Sequence, residues 1–152
     1  MSKIKHRDFI QIVQRYNEKL SNGERAQLRR SKLENIAEIP AFYRLFPNLK
    51  TDKRYDRIAF FLPYVQHTDN KEALTLGAQL AKKISEQRLF QVLRSTTPND
   101  LTHLHRLVKQ VEPTVNWNQF GETLFFWNKT QKRRLLEDYF LSYTPPKKGS
   151  QK

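Results

Sequence analysis

The sequence predicts an all-α protein, a helical bundle of about eight or nine helices in two packed halves. Three observations carry this. Apolar residues recur at spacings of three and four almost throughout. Helix start and stop signals separate these stripes. No alternating run of four to eight residues competes convincingly as a strand. At 152 residues the chain has the length of one domain or of two small lobes sharing a core. With 38% hydrophobic residues, and ten Phe against four Gly, that core needs no covalent staples. Residues 1–65 are expected to form an N-terminal half, 74–142 a C-terminal half and 143–152 a basic flexible tail. A single domain embracing both halves fits the same pattern.

In the first helix Phe9, Ile10, Val13, Tyr16 and Leu20 share one face. Ser21-Asn22-Gly23 ends it, and Ser21 or Asn22 can cap the next, with Glu24 near the positive end of the helix dipole. The apolar stretch Ile39–Pro47, bracketed by prolines, fits one or two packed helical turns. Ile58, Phe61, Leu62 and Val65 form another stripe, which Pro63 should kink or end. Residues 66–72 are polar and read as a linker. Beyond them, Leu74–Ala81 holds small residues that allow helices to approach closely, and Leu89, Val92 and Leu93 face inward on a helix opened by Ser85. Thr97-Pro98-Asn99-Asp100 offers an N-cap Thr, a Pro at the first helical position and an acid in the first turn. Leu101, Leu104, Leu107 or Val108, and Val111 follow until Pro113. Asn116 caps an aromatic segment, and Leu135, Leu136, Tyr139 and Phe140 mark the last helix.

Chemistry is bounded mainly by exclusion. The absence of Cys rules out disulfides, thiolate metal sites and Cys nucleophiles. No apolar leader and no stretch of 18 apolar residues is present, so the chain reads as cytoplasmic with no membrane contact. No glycine-rich loop exists to cradle a phosphate. His103 and His105 lie two apart on a helix and point roughly 200° apart, so one metal cannot sit between them. Glu137 and Asp138 diverge likewise and answer Lys132, Arg133 and Arg134. No catalytic constellation emerges, and neither a metal nor another cofactor is expected.

The positive signal is charge. Lys and Arg number 28 against 15 Asp and Glu, a net charge of +13. Such an excess usually serves a polyanion. The basic residues fall into four groups. These are Arg25, Arg29, Arg30 and Lys32; Lys82, Lys83, Arg88 and Arg94; His105, Arg106 and Lys109, expected on the outside of their helix; and Lys129, Lys132, Arg133 and Arg134. Arg25 and Lys129 stand at helix N-termini, where backbone N–H groups would help hold a phosphate. Trp117, Phe125, Phe126 and Trp127 could stack bases, but their helical spacing favours the core. No helix-turn-helix, zinc-finger or RNA-recognition motif is present, so the charge points to backbone contact without sequence readout.

Ordered motifs add a resemblance. Asn22-Gly23-x-x-Ala26-Gln27-x-Arg29-Arg30, Ile39-Pro40-Ala41-Phe42-Tyr43-Arg44-Leu45 and Leu76-Gly77 come first, and Arg88-x-Phe90-Gln91-x-x-Arg94 follows. Then come Leu104-x-Arg106-Leu107, Glu112-Pro113-x-x-x-Trp117 and Leu135-Leu136-Glu137-Asp138. Together they resemble the CasB family, the small subunit of the type I-E CRISPR surveillance complex Cascade. The likeness runs from about residue 8 to 142. It implies a non-catalytic helical subunit, present as a pair beside other Cascade subunits and the guide RNA. Such a subunit would steady the target and displaced DNA strands of the R-loop, while guide pairing reads the sequence. The motifs place Arg30, Arg94 and Arg106 on the nucleic acid, with Arg29 and Arg88 next. Arg25, Lys129 and Lys132 join them from the charge groups. Lys53 or Arg54 falls near a further basic position, and His105 stands where the family pattern has a second arginine beside Arg106. The competing reading is a helical adaptor whose basic faces dock acidic proteins.

Overall fold

The computed structural model describes residues 8–47, 52–70 and 72–142. The extreme N-terminus and the tail 143–152 lie outside them. Nine α-helices follow in order among the described residues. They are α1 (Phe9–Glu18), α2 (Asn22–Arg30), α3 (Pro40–Leu45), α4 (Arg54–Phe61), α5 (Leu76–Leu80), α6 (Glu86–Arg94), α7 (Asn99–Val111), α8 (Trp117–Phe125) and α9 (Lys129–Ser142). Short 3₁₀ turns at Ile36–Glu38 and Leu62–Tyr64 complete the helical content. The second turn holds Pro63, so α4 tightens and stops where the proline removes a donor.

Local signals set most boundaries. Ser21 accepts from the Glu24 N–H while the Glu24 carboxylate accepts from the Ser21 N–H, a reciprocal capping box on α2. That backbone bond, with Arg44 alongside, holds Glu24 below the usual carboxylate range. Thr75, Ser85 and Asn116 cap α5, α6 and α8 with a side-chain oxygen that accepts a first-turn N–H. The start of α7 differs from the expectation. Its first helical residue is Asn99, and the Thr97 hydroxyl donates 3.0 Å to the Asp100 carboxylate instead of capping backbone. The reason is tertiary, because Asp100 is drawn into the core.

The polar segment after residue 65 is also more ordered than a linker. β1 (Gln66–His67) pairs in parallel with β2 (Thr114–Val115), a two-residue contact too short for any alternation to reveal. His67 Nδ1 accepts the Trp117 N–H at 3.1 Å, and the Trp117 indole donates 3.0 Å to the Val65 carbonyl. These bonds fasten the start of α8 to the end of the N-terminal segment.

One cluster of buried side chains runs from Phe9 to Tyr139. Phe125 meets Phe9 at a tilt and Tyr55 edge-on, so aromatics from both ends of the chain share this core. Trp117, Phe120 and Phe125 therefore pack inside, as their spacing favours. α5 approaches α9 closely at Gly77. A Cβ there would lie 2.6 Å from the Leu135 carbonyl oxygen and 2.8 Å from the Tyr139 nitrogen of α9. Both are backbone atoms and cannot swing aside. Gly77→Ala is expected to cost about 1–3 kcal/mol despite alanine's better helix propensity. Urea denaturation checks this, and an unchanged midpoint would mean that α5 is not held against α9.

Candidate nucleic-acid interface

Several basic side chains are consumed by the fold itself. A helix leaves its last carbonyls without intrahelical partners, at the negative end of its dipole. Arg15 donates 3.0 Å to the Leu45 carbonyl at the end of α3. Arg25 turns back to the end of α1, donating to the carbonyls of Leu20 (2.6 Å), Asn17 (3.2 Å) and Tyr16 (3.4 Å). Arg57 reaches those of Leu124 (2.9 Å) and Phe125 (3.3 Å), which end α8. Burial pushes the Arg57 guanidinium below its usual value, yet a guanidinium keeps its proton. Lys132 donates 2.7 Å to the Ser95 carbonyl just beyond α6 and pairs with buried Asp100 at 2.6 Å.

Two residues that the sequence offers as phosphate contacts, Arg25 and Lys132, are thus engaged with groups of the bundle itself. Arg54 is occupied as well. It pairs with Asp52 at 2.9 Å and lies 4.1 Å from the Phe125 ring centroid. Its neighbour Lys53 is exposed.

Most of the remaining candidates are brought together. The end of α2 meets the outside of α7 through Tyr64. The Tyr64 hydroxyl donates 3.3 Å to the Arg29 carbonyl, and the Lys109 ammonium sits 5.5 Å from its ring centroid. Arg106 lies one turn before Lys109 on the same exposed face. Arg88 donates to the Gln110 side chain and so joins α6 to this face. Arg29 and Arg30 are exposed at the end of α2; Arg29 also reaches the Tyr16 hydroxyl, and Arg30 lines an open concavity with Gln27, Ser31 and Asn35. The result is a strip of Arg29, Arg30, Lys109, Arg106 and Arg88 crossing α2, α7 and α6. Tyr64 and Gln110 link it, and only long-range packing shows their part.

Arg94 and Lys129 form a separate, smaller group. Arg94 ends α6 with its guanidinium 5.5 Å from the Phe90 ring centroid. The Lys132–Ser95 bond holds the start of α9, with exposed Lys129 and Arg133, beside that end.

His105 corrects an expectation. It is 6% exposed, not outward-facing, and its ring stacks on Phe60 with centroids 3.7 Å apart. Nε2 lies 2.9 Å from the Phe60 carbonyl, one of the orphan acceptors that end α4, and neutral imidazole donates there. Burial lowers its pKa to about 4, so at neutral pH it adds no charge beside Arg106. The concavity between α5, α8 and α9, lined by Thr75, Asn116, Glu122, Arg134 and Asp138, holds none of the eight candidate contacts. Among the described residues no group of His, Asp and Glu could hold a metal ion.

Fold and surface define a class, an all-α polycation whose exposed arginines lie on a rigid bundle. Comparison makes it particular. The family described as CRISPR-associated protein Cse2 matches residues 24–140. The Cascade subunit CasB of Escherichia coli (strain K12) is 33% identical over 141 residues, which cover 82% of this chain and 88% of that protein. A chain in the crystal structure of E. coli Cascade bound to a PAM-containing double-stranded DNA target superposes with a TM-score of 0.80. It is 33% identical, and the match covers 89% of this chain and 97% of that one. The chain belongs to the Cse2 family.

Proposed function

We propose that this protein is the non-catalytic small subunit of a type I-E Cascade ribonucleoprotein. It stabilises guide RNA–target DNA pairing and the displaced strand by contacts to backbone phosphates. The observation that carries this reading is the strip of exposed Arg29, Arg30, Lys109 and Arg106 with half-buried Arg88, cations with no base-reading element beside them. Arginine suits the task because its planar fork holds two phosphate oxygens at once. Arg94 and Lys129 act as a second contact on the other side of α6. The partners are other Cascade subunits, a second copy of the chain, the guide RNA and both DNA strands. The setting is the cytoplasm, and no described helix is long and apolar enough to cross a membrane.

Arg30→Glu, Arg94→Glu and Arg106→Glu test the contacts within the assembled complex. Each is expected to weaken retention of opened target DNA while far-UV circular dichroism stays unchanged. Each should also make binding less sensitive to salt, lowering the log–log slope by about 0.7 for every single-strand phosphate that is no longer neutralised. Wild-type retention in all three variants would sink the assignment. Binding that is weak and insensitive to salt would point to acidic protein partners instead.

A further inference from the structure

Arg94, like Arg54, stands on an aromatic floor. The Arg94 guanidinium is over Phe90, whose ring centroid lies 6.4 Å from that of Phe140 on α9 with the planes inclined at 45°. Phe140 is 41% exposed and Leu141 beside it 86% exposed, although a bundle of this size has ample core to bury them. α6 and α9 run antiparallel here, since Ser95 meets Lys132 while Phe90 meets Phe140. The cations Arg94, Arg133 and Lys129 therefore line the approach to the two rings. Glu137 stands one turn before Phe140 on α9.

We propose that Phe90 and Phe140 form a stacking platform for bases of a single-stranded nucleic acid, with Arg94 holding the adjoining phosphate. This rests on the nucleic-acid reading above and adds to it a preference for strands whose bases are out of a duplex. Any base has a π-face, so a platform binds without sequence preference, which suits a protein lacking a reading motif. The α2–α7 strip carries one aromatic, Tyr64, which stands edge-on to His105 beneath Lys109.

Fluorescence anisotropy of the full chain separates these claims, using a 12-nucleotide oligothymidine, an abasic oligomer with the same number of phosphates, and a duplex. The wild type should bind the oligothymidine more tightly than the abasic oligomer. Phe140→Leu keeps an apolar side chain but loses the π-face. It should weaken oligothymidine binding about fivefold to a hundredfold and leave the abasic oligomer and the duplex unaffected. Arg94→Glu should weaken both single-stranded oligomers. Equal wild-type affinity for the two, or a Phe140→Leu loss shared by both, would overturn the platform while leaving the phosphate reading intact. Failure of the wild type to bind any probe would overturn both. Self-association abolished by Phe140→Leu, with oligothymidine binding unchanged, would make the patch a contact between copies and overturn the platform too.

Discussion

Asp100→Asn is expected to destabilise the protein by about 3–5 kcal/mol, the range for removing one partner from a buried ion pair. Asp100 is fully buried, and both of its oxygens are used. Oδ2 receives the Lys132 ammonium at 2.6 Å, the Trp127 indole N–H at 2.9 Å and the Thr97 hydroxyl at 3.0 Å. Oδ1 receives the Leu101 N–H at 2.7 Å. An amide has the same shape but only one acceptor oxygen. It would turn an N–H toward a donor and leave the Lys132 charge buried without a counterion. Urea unfolding followed by far-UV circular dichroism measures the loss. Replacing both partners, Asp100→Leu with Lys132→Met, should recover much of it, because no orphaned charge then remains. A single variant within about 0.5 kcal/mol of wild type would mean that the pair is not holding α7 to α9.

Acidification should cost nearly as much through one histidine. His105 titrates near 4 in the folded state, against 6.5 for an unhindered imidazole. Between these values the unfolded chain binds the extra proton and the folded chain does not. Stability from this group is therefore complete above about pH 6.5 and is lost as pH falls toward 4. The whole loss amounts to about 3 kcal/mol. His105→Leu removes the titration, so the stability difference between wild type and variant should shrink steadily as pH falls through that window. A difference that stays constant from pH 7 to 4 would refute the assignment.

What is legible in the sequence is local or periodic. The capping box of Ser21 and Glu24, the caps at Ser85 and Asn116 and the inward stripe of α7 each lie within a few residues of their partners. His105 is legible by position and misleading by type. It stands four residues after Leu101 and three before Val108, squarely in the buried stripe, whereas a polar side chain suggests an outward face. Thr97 misleads because Asp100 answers to Lys132, 32 positions away, and no spacing rule connects them. Lys132 is hidden by the same distance, and Arg25 by a turn of the chain that folds it back onto α1. Charge grouping marks them as available, whereas the tertiary arrangement turns them onto helix ends. Motif likeness locates Arg29, Arg30, Arg88 and Arg106. That Tyr64 and Gln110 gather these four with Lys109 into one strip depends on contacts between elements far apart in the chain.

The inward-turned cations govern motion as well as charge. Helix ends ordinarily fray independently of the rest of a protein. Here the last carbonyls of α1, α3 and α8 are clasped by Arg25, Arg15 and Arg57, and the Phe60 carbonyl near the end of α4 by His105. All but one of these clasps reach across more than 25 residues of sequence. Unwinding one end therefore breaks tertiary contacts elsewhere, and amide exchange at these ends is expected to be slow and concerted. The outer arginines then ride on a stiff frame, so a partner binding there would have little backbone ordering left to impose.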